Sequence, residues 1–314
     1  MTLHALPRKT PLQLHTRLSY PKKRSKRRMT VRRALVLGAG GNAAIAWEIG
    51  VIAGIADAGV DPSDADLMVG TSAGSIVAAQ LSSGLSLDEL FQRQVDPRLQ
   101  VKETPPQVDF ANWRASLVAA KQEARSDSEF LRHLGSLALG RPAESASERR
   151  RLIAARLPRT TWPTRPVLIV AVDAESGERR AFTRDSGVDL VDAVTASCAV
   201  AGIWPVVQID GRHYIDGGFD SIDNADLAVG HDRVLVLTLP ARVPPMCVVS
   251  LDAAVNMLRG TGARVEIVHP DEAVQTVFTS VGGNLLDPAV REGAARAGRE
   301  QGRIVGPRVS SLWR

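Results

Sequence analysis

A serine between two glycines is the first candidate for chemistry in this chain of 314 residues. The pentapeptide Gly70-Thr71-Ser72-Ala73-Gly74 follows the apolar stretch Leu67-Met68-Val69 and leads into small residues that favour a helix. A strand that turns sharply into a helix needs glycines where a Cβ would obstruct the backbone, and the turn lifts the serine hydroxyl above a helix N-terminus. Such pentapeptides also arise by chance, so Ser72 is a candidate nucleophile that needs partners.

A glycine-rich turn lies upstream, where the predicted strand Arg33–Leu37 reaches Gly38-Ala39-Gly40-Gly41-Asn42 before a helix over Ala43–Ala58. Backbone amides in such a turn can bind a phosphate or an oxyanion. Dinucleotide-binding folds begin in the same way, but their ribose-binding acid ends a second strand about 20 residues later. The acids of 61–66 lie in a proline-containing linker instead. The sequence therefore favours an oxyanion or phosphate loop.

A candidate base follows a predicted hairpin. Val206–Ile209 and Arg212–Ile215 flank Asp210-Gly211, a strong hairpin signal, and the second strand ends in Asp216-Gly217-Gly218. The two glycines leave the carboxylate of Asp216 clear of side chains, and they free the backbone to approach a neighbouring element.

These three signals, in this order, resemble the patatin-like phospholipase family of lipid acyl hydrolases with a Ser-Asp dyad. The likeness runs from about Arg33 to Leu239 and includes Ala196–Ala199 and Trp204-Pro205 before the candidate base. It implies a three-layer α/β/α fold around a central, mostly parallel sheet. It also implies a lipid or ester substrate, no cofactor and no metal. The glycines that support its motifs are Gly38, Gly70, Gly74, Gly217 and Gly218.

The glycine loop departs from the family pattern. Asn42-Ala43-Ala44 stands where the family commonly has an arginine and a further glycine, and Trp47-Glu48 replaces the usual histidine. Oxyanion stabilisation needs backbone amides rather than these side chains. We therefore expect activity to survive, with an oxyanion hole made by the amides of Gly40, Gly41, Asn42 and Ala73, whereas the departure leaves the substrate preference open.

The residue types specify a mechanism and two alternatives. Ser72 would attack an ester carbonyl and Asp216 would take its proton, which requires that burial raise the pKa of the aspartate. A Ser-Asp-His triad would instead need one of three downstream histidines, which occupy positions typical of the surface: His213, His231 and His269. A protein of another class, a non-catalytic lipid- or phosphate-binding member of the fold, is the second alternative.

The charge distribution argues against nucleic acid as a partner. Residues 1–33 hold 11 of the 39 basic residues and no acid, which leaves 28 basic against 34 acidic residues in the rest of the chain. We expect residues 1–32 to be a disordered basic segment, and Met29 is a plausible alternative start. Residues 33–314 are expected to form a single domain, with a helical insertion or lid at about 96–165. Its helices are predicted over Ala111–Ala124 and Ser128–Leu139.

Cysteine usage and hydropathy indicate where in the cell the protein is located. Cys198 and Cys247 lie in apolar surroundings, which is typical of buried free thiols in a reducing compartment. No apolar run approaches the ~20 residues that cross a bilayer. The sequence therefore predicts a cytoplasmic protein with peripheral contact to a membrane surface.

Overall fold

The computed structural model describes residues 31–140, 144–240 and 247–314. Residues 31–314 group into one compact unit. The predicted basic segment, residues 1–32, lies outside the described residues apart from its last two.

A single sheet organises the described residues. Its strands are β1 (Arg33–Leu37), β2 (Leu67–Thr71), β3 (Val167–Asp173), β4 (Arg179–Phe182), β5 (Val207–Ile209), β6 (Arg212–Asp216), β7 (Arg233–Leu237) and β8 (Arg264–Val268). They follow the order β5-β6-β3-β2-β1-β7-β8, and β4 also pairs with β3. Five neighbouring strands of this order, β3-β2-β1-β7-β8, are mutually parallel. The strands β4, β5 and β6 form antiparallel pairs. The predicted mostly parallel sheet is confirmed.

Helices cover both faces of this sheet. They are α1 (Gly41–Asp57), α2 (Ala73–Leu81), α3 (Leu87–Val95), α4 (Phe110–Glu123), α5 (Asp127–Leu139), α6 (Glu144–Arg156), α7 (Leu190–Ser197), α8 (Leu251–Gly260), α9 (Glu272–Ser280) and α10 (Arg291–Trp313). Leu35 and Leu37 of β1 pack with α1, α2 and α10 on one face. Val36 of β1 faces α8 on the other side, where Val172 of β3 packs with α4 and α5. Because side chains alternate along a strand, one sheet serves two cores, and the three-layer prediction is confirmed.

The C-terminal helix is longer than the sequence indicated. We expected a helix over about Pro288–Gln301, but α10 runs from Arg291 to Trp313 through an internal proline, Pro307. Close packing on α1 compensates for the hydrogen bond that the proline cannot make. A Cβ on Gly54 of α1 would lie 2.0 Å from the carbonyl oxygen of Arg299, so the two helices are in backbone contact there.

Candidate active site

Ser72 lies in a strained turn between β2 and α2. Its backbone angles are φ 52° and ψ −114°, in a region that residues with a side chain rarely adopt. The turn is tight because a Cβ on Gly74 would lie 2.0 Å from the carbonyl oxygen of Leu37. The serine is 6 % exposed and stands at the carboxyl end of β2. This is the geometry that presents a serine hydroxyl above a sheet edge.

Hydrogen bonds from α7 and α2 hold the strained backbone of Ser72. Its amide donates to Oγ of Ser197 at 2.9 Å, and that hydroxyl donates to the carbonyl of Val170 at 2.5 Å. The carbonyl of Ser72 accepts from Oγ of Ser75 at 2.6 Å and from Sγ of Cys198 at 3.3 Å. Both backbone groups of the turn are thus satisfied by buried side chains. Strain of this kind persists only where the surroundings fix it in this way.

Strand register brings Asp216 to the serine. Thr71, the last residue of β2, pairs with Val170 of β3, and Asp216, the last residue of β6, pairs with Ala171. β3 therefore places the end of β2 and the end of β6 at consecutive positions. Ser72 and Asp216 consequently line the same cavity.

The carboxylate of Asp216 is 3 % exposed and accepts a 2.8 Å hydrogen bond from the amide of Gly218. Burial raises its pKa to about 7, against the lowering effects of the Ser72 hydroxyl as a hydrogen-bond donor, the Gly218 amide and the charge of Arg149. A carboxylate with a pKa near neutral is a useful base for a hydroxyl proton at physiological pH. The burial that the mechanism requires is therefore present.

The glycine loop lies against this pair. The amide of Gly38 donates to the carbonyl of Leu237 at 3.0 Å and to Oε1 of Glu48 at 2.8 Å. The carbonyl of Gly38 accepts from the amide of Gly74 at 3.0 Å, which joins the loop to the serine turn. The first amides of a helix lack partners within the helix. Four such amides belong to residues that line the cavities at Ser72, and we find no acceptor for them among residues 31–140, 144–240 and 247–314: those of Gly40, Gly41, Asn42 and Ala73.

The cavity at Ser72 is about 270 Å³ in volume and mostly apolar. Gly40 and Gly41 of the loop lie in its wall, and α4 contributes Phe110 and Trp113. Part of the predicted helical insertion thus contacts the cavity. Whether that insertion acts as a lid stays a prediction.

Asn42 has a structural task as well as an amide. Its Nδ2 donates to Oε1 of Glu103 at 3.0 Å and to the carbonyl of Leu286 at 2.7 Å, while Nη2 of Arg156 donates to its Oδ1 at 3.0 Å. Arg156 also forms an ion pair with Glu103. The side chain at the departure from the family pattern is therefore fixed in a buried polar network.

Sequence reasoning missed α6 and the arginines that it carries to the site. Arg149, Ile153 and Arg156 are spaced four and then three residues apart, so they share one helix face. All three side chains are buried or nearly so. This spacing indicates a helix with one buried face, but the prolines on both sides of it favour irregular structure, so the helix was not predicted.

The histidines of the triad alternative have other contacts. Nδ1 of His213 lies 2.5 Å from Oε1 of Glu175, Nδ1 of His231 lies 3.0 Å from the carbonyl of Ala228, and Nδ1 of His269 lies 2.8 Å from the carbonyl of Thr238. None of the three lines the cavities at Ser72 in the part of the chain that the structure describes. The geometry groups Ser72 with Asp216 rather than with an imidazole.

The family model for patatin-like phospholipases matches residues 35–229. The chain belongs to this family. Among solved structures, VipD from Legionella pneumophila is similar at 15 % identity with a TM-score of 0.39, over 68 % of this chain and 50 % of that chain. The type III effector protein ExoU is similar at 14 % identity with a TM-score of 0.40, over 89 % of this chain and 53 % of that chain. This patatin-like chain thus spans about half the length of the solved proteins that it matches. A search of curated proteins gave no match.

Within 31–140, 144–240 and 247–314, no three His, Cys, Asp or Glu side chains converge as metal ligands would. The helices in the same ranges include none that is both apolar and long enough to cross a bilayer. Both cysteines are free thiols, with Cys198 buried and Cys247 partly buried.

Proposed function

We propose that this protein is a serine lipid acyl hydrolase of the phospholipase A, lysophospholipase or esterase type. The observation that carries the proposal is the pairing of Ser72 and Asp216 in one cavity, with the pKa of the carboxyl raised to about 7. A buried aspartate of that pKa can act as the base that a serine nucleophile needs, without a histidine.

The reaction would proceed through an acyl-enzyme. Oγ of Ser72 attacks the ester carbonyl carbon while its proton passes to the Asp216 carboxylate. The amides of Gly40, Gly41, Asn42 and Ala73 stabilise the negative charge on the carbonyl oxygen. When the tetrahedral intermediate collapses, the protonated Asp216 returns the proton to the leaving alcohol. Water then attacks the acyl-enzyme, again with Asp216 as base, and the fatty acid is released.

The cavity supports a lipid as substrate. Its volume of about 270 Å³ and apolar walls suit part of an acyl chain better than a polar metabolite. We propose that the segment 96–165 of a single 33–314 domain acts as a lid over this cavity, since α4 lines it. We also propose that the protein acts in the cytoplasm, peripheral to a lipid surface.

Labelling with a fluorophosphonate probe tests the proposal. The wild-type protein should form an adduct at Ser72 and hydrolyse p-nitrophenyl esters, and Ser72→Ala should do neither. Ser136→Ala, at an exposed serine of α5, is the matched control and should behave as wild type. A folded wild-type protein that gives no adduct would favour the alternative, a non-catalytic lipid- or phosphate-binding protein.

A further inference from the structure

An open groove lies beside the apolar cavity at Ser72, and its walls include residues of α4 and α5. The volume of the groove is about 410 Å³, against about 270 Å³ for the cavity. Leu117 and Leu137 give the groove apolar surface, and Leu137 is 48 % exposed there. Among the residues that the structure describes, Trp113 of α4 is the one that lines both spaces. Trp113 therefore marks the boundary between them.

Contacts on both sides hold the indole of Trp113 at this boundary. Its Nε1 donates to the carbonyl of Ala201 at 2.9 Å, and a Cβ on Gly202 would lie 3.1 Å from its Cδ1. Both of these residues line the groove. On the other side, the ring of Phe110, which lines the cavity, meets the indole edge-on with the ring centroids 6.3 Å apart. The indole thus touches a wall of each space.

Gly202 makes room for this indole. Its φ is 78°, in the left-handed region that favours glycine, and the missing side chain is where the edge of the Trp113 ring lies. Moving the indole away would also leave its N–H without the carbonyl of Ala201, and an unpaired buried donor is costly. The boundary is therefore a fixed wall rather than a side chain that a ligand displaces freely.

The position of this wall bears on the length of the acyl chain. The cavity at Ser72 has a volume of about 270 Å³. Pockets that enclose drug-sized ligands are larger, at ~300 to 1,000 Å³, so the cavity holds only part of a long acyl chain. Every further methylene must pass Trp113 or stay in water, where it forgoes the free energy of burial.

We propose that Trp113 sets the acyl-chain preference of the enzyme: its indole closes the passage from the cavity to the groove, so that medium acyl chains are preferred over long ones. This inference rests on the proposed function, in which the cavity takes the acyl chain. A small residue at this position would join the two spaces. The added methylenes of a long chain would then contact Leu117 and Leu137 in the groove.

The ratio of kcat/KM for p-nitrophenyl tetradecanoate to that for p-nitrophenyl octanoate tests this role. In mixed micelles, the ratio should rise roughly tenfold or more in Trp113→Ala, because several methylenes gain a contact with the protein. Trp113→Phe keeps an aromatic wall, so its ratio should stay within about threefold of the wild-type value. Trp162→Ala is the matched control and should keep the wild-type ratio. It removes another indole whose Nε1 donates to a backbone carbonyl, that of Val188 at 2.6 Å, and that lines neither space within the described residues.

A second substitution distinguishes access to the groove from a general loosening of the cavity. Ser116 lies in the wall of the groove, one helical turn from Trp113. Adding Ser116→Phe to Trp113→Ala refills the groove and should return the ratio towards the wild-type value, whereas a loosened cavity would keep the raised ratio. An unchanged ratio in a folded Trp113→Ala protein, or a rise that persists in the double variant, would overturn the proposal.

Fatty acid binding tests the role of Trp113 without turnover. Calorimetric titrations with tetradecanoate and octanoate, below their micellar concentrations, should show a relative affinity that shifts towards tetradecanoate in Trp113→Ala. This shift in a protein that forms no fluorophosphonate adduct and hydrolyses no ester would support the role of Trp113 and reject the hydrolase. Ester hydrolysis with an unchanged chain-length ratio would reject the role of Trp113 and leave the hydrolase proposal intact.

Discussion

Two buried carboxyl groups, those of Asp216 and Glu48, each accept a hydrogen bond from a glycine amide, but they differ in their access to the serine. Asp216 accepts from the amide of Gly218, and Glu48 accepts from the amide of Gly38, both at 2.8 Å. Burial raises the pKa of both groups. At Asp216 the Ser72 hydroxyl, the Gly218 amide and the charge of Arg149 oppose the effect of burial and the pKa is about 7, whereas at Glu48 the Gly38 amide opposes it. Burial raises the pKa of both carboxyl groups, but Asp216 also shares a cavity with Ser72, which its proposed role as a base requires.

The largest expected effect is a difference in catalytic activity between amide variants of the two carboxyl groups. Asp216→Asn removes the proposed base and should lower kcat/KM for a long-chain ester roughly 10²- to 10⁴-fold. Glu48→Gln keeps an acceptor for the Gly38 amide, and it should lower activity less than about tenfold. Both variants preserve side-chain shape, so circular dichroism should confirm folding. A comparable loss in the two variants would mean that Glu48 is part of the chemistry.

The pH profile should follow Asp216 and not Glu48. The base must be ionised, so kcat/KM should rise with pH through about 7 and then level off. The change should approach tenfold per pH unit below that value. Glu48→Gln should retain the rising limb, and the residual activity of Asp216→Asn should lose it. A limb that persists in Asp216→Asn would assign the titration to another group.

The sequence predicted the turns that carry Ser72 and Asp216 more closely than it predicted the helices around them. Gly70-Thr71-Ser72-Ala73-Gly74, the glycine loop and Asp216 each carry a local signal, since strained turns and free carboxylates require particular residue types. Their meeting depends on the register of β3, which is a non-local property that the motifs do not encode. The order of the motifs predicted that they meet only because this order resembles that of the patatin-like phospholipase family.

α6 shows why the rest could not be predicted. Its sequence is rich in arginine, and its apolar face is reduced to a few positions such as Ile153. A helix of this kind is read from its sequence as solvent-exposed. Arg149 and Arg156 are nevertheless buried, because Trp204 and Glu103 reach them from distant parts of the chain. Burial of charge is decided by tertiary partners.

Unfolding measurements should show the cost of the raised pKa. The pKa of Asp216 is about 7 in the folded protein against an ordinary value of 3.8. The stabilising effect of the protonated carboxyl is complete below pH ~4 and is lost as the pH rises through about 7, by at most ~4 kcal/mol. Asp216→Asn cannot ionise, so its stability should exceed that of wild type at pH 8 but not at pH 4.

Urea unfolding of wild type and Asp216→Asn at both pH values measures this difference. Relative to wild type, Glu48→Gln should likewise become more stable as the pH rises above the ordinary range of a glutamate, because burial raises the pKa of Glu48 well above that range. Parallel stability curves for wild type and Asp216→Asn between pH 4 and pH 8 would contradict the raised pKa of Asp216.

The smallest effects are expected at the histidines, and they decide whether a carboxyl alone serves as the base. His213, His231 and His269 each contact a glutamate or a backbone carbonyl, and none of them lines the cavities at Ser72 within the described residues. Alanine substitution at each should change kcat/KM by less than about threefold, because no proton transfer passes through them. Loss of activity at one of them in a folded variant would replace the dyad with a triad. Fluorophosphonate labelling of the same variants distinguishes a dyad from a triad. If a histidine serves as the base, its alanine variant should label slowly at Ser72 even where the cavity is intact, and otherwise the variant should label as wild type does.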